Sequence, residues 1–248
     1  MPLNDDDFMR YSRHLLMDDI GESGQEKLIN SRILIVGLGG LGCPVSTYLA
    51  GAGVGFLALC DPDRVDKTNL QRQVLVRSED CGEFKVSCAK DRLKALNDSV
   101  NIEIYPRAVD TEILNYHYDL IIDCTDNLPA RHVLNKQCSE NKIPFVSAAA
   151  VGWEGQLIGF DFNNYSSPCF NCVINGQLQD PVMNCSNSGV VGPVLGVIGS
   201  LQATIAIRML LGYFQQHGEM QRYDGKRGQW LTMTSMRDKA CMVCSHEL

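Results

Sequence analysis

The sequence predicts an α/β fold: a doubly wound, mostly parallel sheet of Rossmann type, followed by C-terminal antiparallel strands. Three observations carry this. Between residues 30 and 150, apolar runs of strand length alternate with amphipathic stretches of helix length, the pattern of βαβ units. One run, "ILIVGLGGLG" at 33–42, passes straight into a glycine-rich turn. After residue 150 the pattern changes, and "GWEGQLIGFDF" alternates as an antiparallel strand does.

Taken in order, residues 5–29 place Phe8, Tyr11, Leu15, Leu16 and Leu28 at roughly helical spacing and predict short helices broken by Gly21 and Gly24. A strand at 32–36 leads into the glycine turn and a helix over about 40–51. "GFLALCD" at 55–61 is the next buried strand and ends on Asp61. A helix over 85–97 gathers Val86, Ala89, Leu93 and Leu96 on one side, and strands follow at 101–105 and 119–123. A helix over about 127–140 leads to the strand "IPFVSAAA". Residues 163–190 read as loop, 194–211 as a long apolar helix, and short strands near 219–223 and 229–233 precede the tail. With no low-complexity linker and no internal repeat, residues 1–248 read as one domain.

Composition narrows the function classes. At 248 residues, 45% hydrophobic and 21% charged, the chain reads as an ordinary soluble globular protein. Its 22 basic and 29 acidic residues give a net charge of −7, which argues against nucleic acid as a partner. The start, "MPLNDDDFMR", is acidic without an apolar signal region, and no run of about 18 apolar residues suggests a membrane span. The expected location is therefore cytoplasmic, with no membrane partner. In that reducing compartment the eleven cysteines read as metal ligands, reactive thiols or small buried hydrophobes, not disulfides.

The glycines at 37, 39 and 42 satisfy G-x-G-x-x-G, with Gly40 between them. Such a turn brings backbone N–H groups and a helix N-terminus to a polyphosphate. Asp61 ends the second strand about 20 residues on, where a carboxylate would meet a ribose hydroxyl. NAD and ATP are equally served by these features. What tips the balance is "CDPDRVDKTNLQRQ" at 60–73, in which Asn69, Arg72 and Gln73 crowd together, with Lys85 opening the next helix. An arginine and a lysine converging on one loop suit a triphosphate whose charge grows in the transition state; hydride transfer has no need of them. The competing reading is a solvated charged loop. In "DCTDN" at 123–127, Asp126 fits magnesium, while Asn127 or Thr125 fits a helix cap.

The cysteines fall into classes. Cys169 and Cys172 ("CFNC") and Cys241 and Cys244 ("CMVC") fit a tetrahedral four-thiolate zinc site tying the tail to the crossover loop; two separate redox pairs are the alternative. Cys43, Cys60, Cys88, Cys124 and Cys138 fall on buried elements and read as packing residues. Cys185 differs, because "VMNCSNSGVVGPV" is a polar loop just before a helix, a setting that suits a nucleophilic thiol. Cys81, also on a loop, has no comparable setting.

As a set, "RYSRHLL", "GLGGLG", "NLQRQ", Lys85, "DCTDN", "CFNC", "CMVC" and "GVVGPVLGVIGSLQA" resemble the ThiF/MoeB/HesA family, bacterial relatives of ubiquitin-activating enzymes, over residues 4–244. The resemblance implies an enzyme that uses ATP and magnesium to adenylate the C-terminal glycine of a small ubiquitin-fold sulfur carrier. It implies a nucleotide-binding part over about 30–150, and a crossover loop with the zinc- and carrier-binding part over about 151–248. "DDDFMRYSRHLLMDDI", "AVGWEGQL" and "YDGKRGQW" look more like ThiF, the thiamine-pathway member, than like MoeB, the molybdopterin one.

Carried over by position, the resemblance implies that Gly37, Gly39 and Gly40 face the phosphates and Asp61 the ribose. Asn69, Leu70, Gln71, Arg72 and Gln73 with Lys85 belong to the nucleotide site, and Asp126 positions magnesium with Asn127 beside it. Arg13 would reach the nucleotide of the neighbouring subunit in a twofold homodimer. The resulting acyl-adenylate would take sulfur from a persulfide donor, with Cys185 forming an acyl-disulfide. Against this stand a NAD-dependent oxidoreductase, a non-catalytic nucleotide-binding scaffold and a relative acting on a tRNA base. No histidine sits in a site loop to serve the first, and a scaffold would need none of Arg72, Lys85 and Asp126. The acidic balance speaks against the tRNA-directed relative.

Overall fold

The computed structural model describes residues 2–164, 166–174 and 189–245. Cys185 therefore lies outside the described residues.

Eight strands form one sheet in the order β3-β2-β1-β4-β5-β6-β7-β8. β1 (Arg32–Val36), β2 (Phe56–Cys60), β3 (Asn101–Tyr105), β4 (Leu120–Asp123) and β5 (Phe145–Val151) run parallel. β6 (Glu154–Phe160), β7 (Glu219–Asp224) and β8 (Gln229–Thr234) extend the sheet antiparallel. The predicted class and the order of its strands are those observed; a short helix at Thr111–Leu114, between the third and fourth strands, is an element the sequence pattern does not predict.

Burial explains why the two halves pair differently. Every residue of β2 and β4 is buried, as expected of parallel strands covered by helices on both faces. Alternation along β1 sends Ile33 and Ile35 into one core and Leu34 and Val36 into the other. The helices are α1 (Asp5–Arg10), α2 (Ser12–Leu15), α3 (Gly21–Asn30), α4 (Gly42–Gly51), α5 (Lys85–Leu96), α6 (Thr111–Leu114), α7 (Leu128–Glu140), α8 (Phe170–Val173) and α9 (Gly192–Leu211). The first core packs α3, α4, α5 and α9 against the sheet; the second adds Phe160, Phe170 and the tail cysteines.

Three expectations need correcting. Gly24 does not break a helix: it lies buried inside α3, where a Cβ would stand 3.0 Å from Ile20 and 3.3 Å from Leu211. Its missing side chain lets α3 approach the end of α9. The stretch 163–190 is not all loop, since α8 forms one helical turn within it. Finally, the 20-residue α9 is long and apolar enough to cross a membrane, contrary to the expectation of no such run. Half of its most apolar window is buried within the fold, against α4, β5 and β6, so its apolar character is that of a core helix.

Candidate functional site

A cavity of about 810 Å³ opens at the C-terminal ends of β1, β2 and β4, where open α/β sheets bind their ligands. Its floor is the glycine turn. Gly37 has φ +94°, and a Cβ there would lie 2.7 Å from the Cys124 carbonyl oxygen. A Cβ on Gly42 would be 2.0 Å from the Gly37 carbonyl oxygen, so only glycine allows the turn to close onto α4. Gly39 faces the cavity, and the nearest atom to a Cβ would be Gln73 Nε2 at 3.9 Å. Gly40 also lines the cavity, backed by Leu195 of α9.

Asp61 leaves the end of β2 and is buried. Its Oδ2 accepts the Leu38 N–H at 2.6 Å and its Oδ1 the Asp63 N–H at 2.8 Å. Burial pushes its pKa up, and Lys85 and these two amides pull against that rise. Each carboxylate oxygen keeps acceptor capacity for a ribose hydroxyl. Lys85 opens α5, a position where the helix dipole disfavours a cation, and its Nζ donates to Asp63 Oδ2 at 2.7 Å. Its side chain is 7% exposed, whereas that of Asp63 is 64% exposed. The partner is thus a solvent-facing carboxylate that an incoming phosphate could replace.

Asn69 closes a single 3₁₀ turn and accepts the Asp66 N–H at 3.1 Å. Arg72 lies three residues on and donates to the Thr68 carbonyl at 2.9 Å. Asn69, Gln71, Arg72 and Gln73 line the cavity, and buried Gln73 Oε1 has no hydrogen-bond partner among the described residues. An orphaned amide beside an open glycine turn is the polarity a bound nucleotide would satisfy. Leu70 points elsewhere, into a small apolar cluster with Val65, Val76 and Cys88.

The two aspartates of "DCTDN" have opposite fates. Asp123, fully buried, accepts from Arg131 Nε at 2.5 Å and Ser147 Oγ at 2.7 Å. Asp126 is exposed on the cavity wall and makes no hydrogen bond or ion pair among the described residues. A hard, unpartnered carboxylate oxygen at that wall fits magnesium. Asn127 also lines the cavity and caps α7, its Oδ1 accepting the Ala130 N–H at 2.9 Å. The structure places Arg13 on exposed α2, outside the cavity of its own chain. Sequence reasoning missed Asp63, Asp123 and Arg131. Asp123 stood inside the quoted motif, but spacing cannot tell which of two aspartates turns inward.

Away from the cavity, Cys169, Cys172, Cys241 and Cys244 bring their sulfurs within 4.8 Å of one another. Cys169 lies 3.6 Å from Cys241 and 3.8 Å from Cys172, and Cys172 lies 3.5 Å from Cys244. Tetrahedral zinc with sulfur at about 2.3 Å requires sulfur separations of about 3.8 Å, so the cluster fits that metal. Within the cluster, hydrogen bonding to Cys169 and to the Asp238 N–H pulls the Cys172 thiol down, while those of Cys169 and Cys244 are pushed up. Among the packing cysteines, burial pushes Cys43 up to about 11 and Cys60 up to about 12, and raises Cys88, Cys124 and Cys138. Cys81 is exposed.

With this geometry in view, comparison with known proteins is specific. The ThiF family model matches residues 11–243. The sulfur carrier protein ThiS adenylyltransferase of Escherichia coli K12 is 43% identical over 245 residues, covering 98% of this chain and 97% of that protein. The molybdopterin-synthase adenylyltransferase of the same organism is 42% identical over 246 residues, covering 98% of each. The solved structure of Escherichia coli MccB with MccA-N7isoASN shares the fold, with a TM-score of 0.84 at 23% identity over 98% of this chain and 76% of that one. The chain belongs to the ThiF family.

Proposed function

We propose that this ThiF-family chain is an adenylyltransferase that uses ATP to activate the C-terminal glycine of a small ubiquitin-fold sulfur carrier. In this reading it supplies sulfur transfer for the thiazole of thiamine. One observation carries the reading: Lys85, Arg72 and Asp126 converge on a glycine-turn cavity beside Gln73 Oε1, which is buried without a hydrogen-bond partner among the described residues. The names of the two Escherichia coli relatives supply the acceptor class. Residues 1–248 act as one domain, in the cytoplasm, where the thiols stay reduced.

The chain's contribution is positioning and charge. The carrier carboxylate, already ionised at neutral pH, attacks the α-phosphorus of ATP without a general base. The bond to the bridging oxygen breaks, pyrophosphate leaves, and an acyl-adenylate remains. Lys85 and Arg72 offset the charge that accumulates on the phosphates, and Asp61 orients the ribose. Asp126 would hold a magnesium ion, which would neutralise phosphate charge there. Arg13, exposed on α2, adds a guanidinium to the cavity of the other subunit in a twofold homodimer. Zinc on the four cysteines is structural.

A persulfide donor then passes its outer sulfur to the Cys185 thiolate and is left as a thiol; the Cys185 persulfide attacks the acyl-adenylate carbonyl, the bond to AMP breaks, AMP leaves, and an acyl-disulfide joins the carrier to Cys185. Cys185→Ser is expected to keep carrier-dependent pyrophosphate exchange, which needs no thiolate, and to lose the reductant-sensitive carrier adduct. Mass spectrometry of the unreduced reaction reads both proteins. An adduct that persists in the variant removes Cys185 from the pathway.

The molybdopterin branch is the second reading, favoured by the near-equal similarity of that relative. ATP–pyrophosphate exchange with each purified carrier separates the branches. The thiamine carrier is expected to support the faster exchange. An absorbance change with NAD and no exchange with either carrier would replace the reading by an oxidoreductase.

A further inference from the structure

Beneath the cavity, one arginine joins three segments that sequence leaves unconnected. Arg131 on α7 is 4% exposed. Its Nε donates to Asp123 Oδ2 at 2.5 Å, at the end of β4. Its Nη2 donates to the carbonyl of Thr125, the residue before Asp126, and to that of Ala148 on β5, both at 2.9 Å. The next residue, Ala149, lines the cavity. Asp123 completes the knot: its Oδ1 accepts the Thr125 N–H at 2.9 Å and the Thr125 hydroxyl at 2.6 Å. The backbone leading into Asp126 is thus held from both its N–H and its carbonyl side.

The same guanidinium meets the cysteine knuckle. Its central carbon lies 5.5 Å from the ring centroid of Phe170, the residue after Cys169. Phe170 is itself fixed to α7: its N–H donates to Asn135 Oδ1 at 2.8 Å, and its ring meets His132 edge-on at 5.4 Å. One turn of α7 therefore carries contacts to both the knuckle and the Asp126 loop.

We propose that Arg131 is a positioning residue that fixes Asp126 at the mouth of the cavity for adenylation, and that Phe170 of the cysteine knuckle holds Arg131 in that pose. The role in catalysis rests on the adenylyltransferase reading; the tether itself does not. The planar fork is what matters. A lysine would keep a positive charge opposite Asp123, but its single ammonium cannot serve a carboxylate and two carbonyls in one plane. Releasing the Thr125 carbonyl lets Asp126 drift, and a drift of about 1 Å is worth about 100-fold in rate.

The test compares wild type, Arg131→Lys and Phe170→Leu by pyrophosphate exchange, thermal melting, zinc content and amide hydrogen exchange of the 124–130 segment. Arg131→Lys is expected to melt cooperatively with its zinc retained, and to lose about 100-fold in kcat while the KM for ATP moves less than about threefold. Its 124–127 amides should exchange faster, and half-saturating magnesium should rise about tenfold as the carboxylate loses its place. Phe170→Leu should move the same quantities in the same direction by about tenfold or less. Wild-type kcat together with wild-type protection of 124–127 in Arg131→Lys would overturn the proposal. So would protection lost evenly across the sheet, which marks a merely structural arginine. A failed adenylation reading shows itself separately, as wild type that exchanges with no carrier. In that event the 124–127 amides still decide the tether: faster exchange in Arg131→Lys upholds it, and unchanged protection removes it.

Discussion

The parallel and antiparallel halves of the sheet are held by different physics. β2 and β4 are buried along their whole length, packed between helices on both faces. β8, at the other edge, is exposed at every residue, Trp230, Leu231 and Met233 included. The parallel half is stabilised by burial of apolar surface. The antiparallel half thins toward its edge: β6 still buries Leu157, Ile158 and Phe160, β8 buries nothing, and the four cysteine sulfurs gather α8 and the tail into one cluster. In the proposed function the chemistry follows the same division: the nucleotide would bind in the cavity at the ends of the parallel strands, and a metal would bind in the cysteine cluster that holds the tail.

Asp126→Ala tests that division most sharply. Exchange should fall by about 10²–10³-fold with melting unchanged, because Asp126 makes no contact that supports the fold. Near-wild-type exchange would remove the magnesium assignment. Arg13→Ala and Arg72→Ala should each impair exchange strongly, and mixing the two variants should recover activity in mixed dimers, since each chain supplies what the other lacks. Confirmed subunit mixing without recovery would count against the shared site.

The antiparallel half should answer to the metal instead. Replacing Cys241 and Cys244 together by serine should lower stability by about 3–5 kcal/mol, a drop of roughly 10 °C, with the loosening confined to the tail and the hairpin of β7 and β8. Amide protection lost first in β1, β2 and β4 would erase the distinction between the halves. The smallest effect lies where the site borders the fold: Asn127→Ala removes the cap of α7 and should cost about 1 kcal/mol, read as a shift in denaturant midpoint. A neutral result would mean the cap contributes nothing beyond what Pro129 already supplies.

The parallel half was legible in sequence because its signals are local. Ile33 to Val36 followed by Gly37 state strand and turn within a few residues, and β3 falls at 101–105 as its pattern predicts. The four cysteines are legible through chemistry as far as two C-x-x-C pairs that fit one tetrahedral cluster; the fold joins the pairs by bringing their sulfurs within 4.8 Å of one another. Gly24 is not legible as a helix residue because what a Cβ there would crowd is tertiary as well as local: Leu211 of α9, beside Ile20 of its own segment. α9 escaped notice as a span-length apolar helix because Gly192, Ser200, Gln202 and Thr204 interrupt the run in sequence while the mean stays high. Asp123, Asp63 and Arg131 stayed hidden for one common reason. Each matters through a partner that only the folded chain brings near, and no period or motif encodes such a pairing.

The central claim is that the cavity transfers AMP to a carboxylate. Intact-mass spectrometry of a purified ubiquitin-fold carrier, incubated with the enzyme, ATP and magnesium, tests it most directly. A carrier that gains the mass of one adenylyl group, with no gain in a carrier lacking its C-terminal glycine or in reactions with Lys85→Ala, is the predicted result. An unchanged carrier mass in the presence of fully folded enzyme and intact ATP would contradict it.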